Sequence, residues 1–270
     1  MHKAVARVIA LLAITHPACA DQTASLRIVP LENAGEGAWL VTHTQAYDSN
    51  SLLVETDDKT LVLCDTPMSE AATLELLAWA HDRFGERRWI VVNGHFHPDC
   101  TAGNAAMIDA GAEVWASDLT ARLHRERGRA QLESLAEGFP DDPLADEFLQ
   151  TRVRDATTTF PLAEPQTLPI EGERVEIIHP GPAHAPDNVV TRFVDRGIVF
   201  AGCLCFAVDR TWMGNTLDAD VPAWPAAIEE VQKLGATLVV PGHGAPGGPE
   251  LLSHTADVLR RHASGPDADP

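Results

Sequence analysis

Trp89-Ile90-Val91-Val92-Asn93-Gly94-His95-Phe96-His97-Pro98-Asp99-Cys100 runs from a wholly apolar stretch straight into a cluster of ligand-forming side chains. Three consecutive β-branched residues after Trp89 suit a strand buried on both faces. Beyond Asn93-Gly94, the residues His95, His97 and Asp99 fall at every second position. Alternate residues of extended backbone share a face, so His95 and His97 can point the same way, and Pro98 forces a turn before Asp99. A lone HxH is equally well explained as a solvated strand end. Three further segments decide the matter by supplying donors at other strand ends: His184, Cys203 and His243.

Working outward, strands are predicted over residues 26–30, 38–42, 51–56, 60–64 and 89–92. The second of these leads through a short polar break over 47–50. Asp65 sits at the end of the buried run 60–64, where an unpaired carboxylate is costly. Ser69 caps a helix carrying apolar positions at Ala72, Leu76, Leu77 and Ala80. A short helix over 102–110, a strand over 111–116 and a helix capped by Ser117-Asp118 follow. The charged, helix-prone stretch 122–150, broken at Gly138-Phe139-Pro140, reads as a surface excursion. Further strands are expected over 175–178, 189–194, 198–201 and 237–240. Helices are expected over 221–234, with Pro222 in the first turn, and over 249–262, before a disordered Gly/Pro/Asp tail. Strands first, then strands interleaved with helices, then the same again, predict an α/β chain folded as an αββα sandwich. Every candidate donor then lies at a strand end and can reach one rim.

The 270 residues show no linker-like shift and no fixed-period repeat, so residues 21–270 are read as a single domain. Residues 1–20 read as a secretory signal: Lys3 and Arg7, a short apolar core, then Ala18-Cys19-Ala20. That core is too short to span a bilayer. Export to the periplasm with cleavage near Asp21 is expected, in preference to acylation on Cys19. Without the leader, 18 basic side chains face 39 acidic ones, a net charge of −21. Such a surface repels nucleic acid and anionic membranes. Of the remaining cysteines, Cys100 and Cys203 lie in donor-rich segments that suit thiolate chemistry, and the pairing state of Cys64 and Cys205 is left open.

Six donors make two three-ligand sites. Zinc favours nitrogen and thiolate ligands, and a catalytic zinc keeps one position open for water. The expected division is His95, His97 and His184 on a first ion, and Asp99, Cys203 and His243 on a second.

The segments HFHPDCTAGN, GPAHAPDNVV, AGCLCF, GNTLDADV and PGHGAPGGPE resemble subclass B1 metallo-β-lactamases, from about Ser51 to the final helix. GPAHAPDN, GAEVWASDLT, PGHGAPGGPE and the helical excursion look most like the São Paulo-type enzymes, and a short flap near residues 45–50 is implied. The resemblance implies the metallo-β-lactamase fold and a monomer with two zinc ions. Zinc-bound hydroxide would hydrolyse the β-lactam amide of carbapenems, cephalosporins and penicillins. Asp99 would orient the hydroxide and the amide of Asn215 would polarise the lactam carbonyl. Exported lactonases or thioesterases of the same fold are the alternative. Those carry a histidine after the motif aspartate and a later bridging aspartate, where this chain has Cys100 and Cys203. Phe206 stands where many B1 enzymes have a carboxylate-binding lysine, and Arg210 follows four residues on, a pattern similar to Verona-type enzymes. A guanidinium there would hold the substrate carboxylate in a two-pronged fashion. Gly94 replaces a hydroxyl residue, so one hydrogen bond to the metal surroundings is expected to be missing. Asp65 and Cys100 are the candidates to support the ligands from behind.

Overall fold

Leu61, Val62, Leu63 and Cys64 are all fully buried, yet they serve two different cores. Leu61 and Leu63 pack outward against helices, while Val62 and Cys64 face inward toward a second sheet. Leu53 against Leu52 and Val54, and Val91 against Ile90 and Val92, divide the same way. The period of two in a strand covered on both faces makes a four-layer stack from a continuous apolar run.

The computed structural model describes residues 21–22 and 25–263, so the secretory leader and the Gly/Pro/Asp tail lie outside the described residues. In chain order the first half comprises β1 (Asp21–Gln22), β2 (Leu26–Pro30), β3 (Ala38–His43), β4 (Ser49–Glu55) and β5 (Leu61–Cys64). Then come α1 (Glu70–Phe84), β6 (Trp89–Val92), α2 (Pro98–Thr101), α3 (Asn104–Asp109) and β7 (Glu113–Ser117). The helical pair α4 (Asp118–Glu137) and α5 (Pro143–Gln150) precedes β8 (Thr158–Phe160) and β9 (Gln166–Thr167). The second half continues with β10 (Val175–Ile178), β11 (Val190–Phe193) and β12 (Ile198–Gly202). It ends with α6 (Trp224–Gln232), β13 (Leu238–Pro241) and α7 (Glu250–Ala263).

Strands β1 to β8 form one sheet in sequence order, and β13-β12-β11-β10-β9 form the other. The chain is thus an αββα sandwich, as its sequence pattern predicts. In the first sheet β5, β6, β7 and β8 run parallel, joined by helical crossovers. In the second, β12 and β13 are parallel neighbours. Parallel strands deliver their carboxyl ends to one edge, where open α/β sheets gather their ligands. Asp65, His95, Cys203 and His243 all follow such ends.

The structure departs from the sequence expectation in several places, among them the start of β4 at Ser49, inside the predicted polar break. Helix formation begins at Pro98 rather than at 102, because His97 is extended and proline suits a first helical turn. Asp99 and Cys100 therefore sit on a helical turn. Helix α6 starts at Trp224 with Pro225 in its first turn, because the Asp220 carboxylate accepts from Ala223 N and closes a separate turn over Pro222. The short strands β8 and β9 carry too little pattern to be read. The four described cysteines are free, with Cys64 in the inter-sheet core.

The excursion is more than a surface decoration. Leu144 and Phe148 of α5 pack on Leu132 and Ala136 of α4, and this cluster reaches Ala46, Met68 and Ala102. Phe148 is fully buried. Phe148→Ala is expected to cost about 3–5 kcal/mol in urea denaturation; a loss under about 1 kcal/mol would mean that the α4–α5 pair packs loosely.

Candidate metal centre

The chain bends after Val92, and side-chain amides hold the bend. Asn93 Nδ2 donates to Cys100 O at 2.7 Å and to Asn104 Oδ1 at 3.0 Å, and Asn104 returns the bond at 2.9 Å. Thr66 Oγ1 donates to the same Cys100 carbonyl. These bonds fix the turn that carries Asp99 against the strand end that carries His95.

Three imidazole nitrogens then converge. His95 Nε2 lies 2.9 Å from His97 Nδ1, which lies 3.2 Å from His184 Nε2. Tetrahedral ligands at zinc–nitrogen distances stand roughly 3.3 Å apart, so the trio has the spacing of a metal site within a few tenths of an ångström. Alongside, Cys203 Sγ lies 2.9 Å from Asp99 Oδ2, which lies 3.5 Å from His243 Nε2. Cys203 also has its sulfur within 4.8 Å of ring nitrogens of both His95 and His184, so the six donors form one continuous cluster. That closeness depends on Gly242: a Cβ there would stand 2.6 Å from Cys203 Sγ.

For three of the four histidines the outer nitrogen has its own partner, which determines which nitrogen is free to bind. His97 Nε2 donates to Asp218 Oδ2 at 2.9 Å, leaving Nδ1 inward. His243 Nδ1 donates to Tyr47 O at 2.9 Å, leaving Nε2 inward. His95 Nδ1 meets Cys100 Sγ at 2.9 Å. Burial pushes His95 down to about 3 and holds His184 well below the usual histidine range, so both stay in the neutral form that binds cations. Burial alone would raise Asp99, but His95, His243 and His97 hold its carboxyl well below the usual range. Burial, with Asp99 adjacent, keeps the Cys203 thiol protonated until a cation displaces the proton.

Asp65 is buried in a left-handed conformation, φ 58°, and burial pushes it up to about 8. Its Oδ1 accepts from Gly94 N at 2.6 Å, and Cys100 also hydrogen-bonds to it. A Cβ on Gly94 would stand 3.0 Å from that oxygen, a tight contact that would require Asp65 to shift, and here the Gly94 backbone makes the bond. Ser69, not Asp65, caps α1.

Arg210 lies on the open side. Its guanidinium sits 5.2 Å from the Phe206 ring centroid and 4.8 Å from that of Trp212, in the field of Cys203 and Asp99. Phe206 is 1% exposed and also stacks on Trp224, so it supports Arg210 from beneath instead of lining the mouth. Asn215 is exposed, and its Oδ1 accepts from Leu217 N in the turn that leads to Asp218.

Sequence reasoning missed Asn50 and Asp218, which are themselves not ligand candidates and act through distant partners. Asn50 is buried where the flap ends. Its Nδ2 donates to Pro241 O at 3.0 Å and Gly244 O at 2.8 Å, its Oδ1 accepts from Thr42, and its N–H donates to Gly242 O. It clamps the loop carrying His243.

Two stacked sheets with clustered His, Asp and Cys donors at one edge define a class of metal-centred α/β proteins. The match of residues 44–243 to the family described as the metallo-beta-lactamase superfamily shows that the chain belongs to it. It is 29% identical over 216 residues to a metallo-beta-lactamase type 2 of Bacteroides fragilis, covering 79% of this chain and 76% of that one. With the type 2 protein of Bacillus cereus it shares 29% over 254 residues, 92% of this chain and 88% of the relative. A solved metallo-beta-lactamase from Pontibacter korlensis superposes with a TM-score of 0.72 at 30% identity, covering 87% of this chain and 99% of that one.

Asn50→Ala strips partners from two loop carbonyls, each worth about 1–3 kcal/mol when left buried and unpaired. We expect zinc at the site containing His243 to be bound at least about tenfold more weakly, as measured by chelator competition; unchanged affinity would show that the loop holds itself.

Proposed function

We propose that the chain is a zinc-dependent β-lactamase of the cysteine-containing B1 type, exported to the periplasm by residues 1–20. The observation that carries this reading is the Asp99–Cys203–His243 trio packed against the His95–His97–His184 trio. A thiolate beside an aspartate and a histidine suits a second zinc that binds substrate. The relatives' own names, metallo-beta-lactamase type 2, support the same activity. The aromatic-then-arginine pair Phe206 and Arg210 supports a carboxylate site of the Verona kind, and the α4–α5 pair supports the likeness to São Paulo-type enzymes.

His95 Nε2, His97 Nδ1 and His184 Nε2 would hold the first ion, and Asp99 Oδ2, Cys203 Sγ and His243 Nε2 the second. When bound, the zinc pair supplies acidified water and a charge that polarises the lactam carbonyl. Asp99 spans both trios: its Oδ1 lies 3.7 Å from His95 Nε2 while Oδ2 faces Cys203. Through Oδ1, Asp99 would orient the attacking water and take up the proton the water loses as its oxygen bonds to the carbonyl carbon. It would pass that proton to the lactam nitrogen as the C–N bond breaks. Asn215 commits Oδ1 to Leu217, which leaves its amide N–H to donate to the carbonyl oxygen. Arg210, braced between two rings, receives the substrate carboxylate.

The purified mature chain should hydrolyse nitrocefin and imipenem in preference to a lactone or a thioester. EDTA should abolish the activity, and clavulanate-type serine acylators should leave it intact. Faster thioester or lactone turnover with no β-lactam hydrolysis would overturn the substrate assignment, and insensitivity to chelation would overturn the metal.

Arg210→Ala should raise KM for carboxylate-bearing β-lactams by roughly tenfold or more while zinc content stays the same. An unchanged KM would locate the carboxylate anchor elsewhere.

A further inference from the structure

We propose that Arg127, on the helical insertion, is a positioning residue for the three-histidine site, acting on His97 through Asp218. The inference rests on the metal reading given above. Arg127 Nη2 lies 2.7 Å from Asp218 Oδ1, while Asp218 Oδ2 lies 2.9 Å from His97 Nε2. One carboxylate thus has each oxygen committed to a different partner, one on α4 and one on the metal-binding loop.

Three observations separate this contact from an ordinary surface ion pair, which holds little in place. The Asp218 side chain is only 10% exposed, although the turn around it is open and the neighbouring Leu217 is 91% exposed. The same guanidinium lies 4.8 Å from the ring centroid of Phe96, the fully buried residue between the two motif histidines. Arg127 therefore touches both the ring beside His97 and the carboxylate that orients His97. Helix α4 is itself anchored, with Ser117 Oγ accepting from Thr120 N at 2.9 Å and the helix packed against α5. Without Arg127, Asp218 keeps one bond and turns about its own axis, and the imidazole it holds loses a fixed direction. The helical insertion thereby acquires a role at the metal centre that its polar, arginine-rich sequence does not announce.

The test is metal binding by the full mature chain. Zinc affinity is measured by competition with a chromophoric chelator, and geometry by the Co(II) spectrum. Here the Cys203 thiolate charge-transfer band reports the second site and the ligand-field bands report both. Arg127→Ala should weaken one of the two sites by about tenfold, at the low end for residues that orient ligands from behind. It should alter the ligand-field bands and leave the thiolate band intact. Arg127→Lys, which keeps the charge but lacks the planar fork, should recover part of the loss and guards against a variant that fails to fold. In an Asp218→Asn background, Arg127→Ala should add little, because the two act as one unit. Arg125→Ala, which removes a pair between the same helix and Asp155 in the segment after α5, should leave both measurements unchanged. Wild-type affinity and spectrum in Arg127→Ala, or an undiminished loss in the Asp218→Asn background, would overturn the proposal. Failure of the wild-type chain to bind two ions would instead overturn the metal reading beneath it.

Discussion

A carboxylate held out of water governs this molecule. Asp99 is 12% exposed, and it lies among His95, Cys203 and His243 with a second buried acid, Asp65, close by. Removing such a charge from water costs several kcal/mol unless something compensates it. Here the compensation available within the chain comes from the imidazoles of His95, His243 and His97, with the thiol of Cys203 at 2.9 Å. The thiol serves as a proton-filled substitute for a cation. A divalent ion held there would take the place of the sulfur's proton and supply the carboxylate with a counter-charge, which would link metal binding to site stability.

That arrangement survives only because the scaffold lets opposite sheets meet without slack. Strands β6 and β12 belong to different sheets, yet His95 and Cys203 come within 4.8 Å as donors. Hydrogen bonds between segments far apart in sequence close the gap. Gly242 N donates to Gly202 O at 2.7 Å, Val189 N to Gly94 O at 2.7 Å, and Asn50 joins the first sheet to the His243 loop. The positive φ angles of Tyr47 and Asp48 make a tight turn possible there, and the turn presents the Tyr47 carbonyl to His243. His97 and His243 are thus aimed by a carboxylate and a backbone carbonyl on distant segments, and His95 by the nearby Cys100 thiol.

What the sequence discloses follows from this division of labour. The sandwich was legible because burial on both faces leaves uninterrupted apolar runs such as 61–64 and 89–92, each closed by a polar break. The six donors were legible because histidine, cysteine and aspartate at several strand ends at once are hard to explain as packing. The groups that aim them were not. Asn50 at the start of β4 and Asn93 and Asp218 in loops are ordinary residue types at such places, and their partners lie up to 194 residues away, a separation no local pattern encodes. Helix starts at Pro98 and Trp224 were misjudged for a related reason: proline admits several positions near a helix entry, and a neighbouring side-chain bond chose between them. The α4–α5 pair looked like a solvated excursion because its outward charges outnumber the few apolar residues that pin it down.

The same logic bears on the open face of the cluster. Tyr47, Trp212 and Leu217 are 58%, 60% and 91% exposed, a costly display of apolar surface for a chain so acidic. Each belongs to a segment already engaged by the site: Tyr47 through its carbonyl to His243, Trp212 through its ring and carbonyl to Arg210, and Leu217 beside Asp218. The polar contacts that orient the ligands therefore also fix an apolar rim above a charged floor. Tyr47 further stacks on Phe139, with ring centroids 5.2 Å apart, at the junction of the helical insertion. The insertion thus supports the mouth through Tyr47 and the floor through Arg127, so changes in its packing should be felt at both levels of the site.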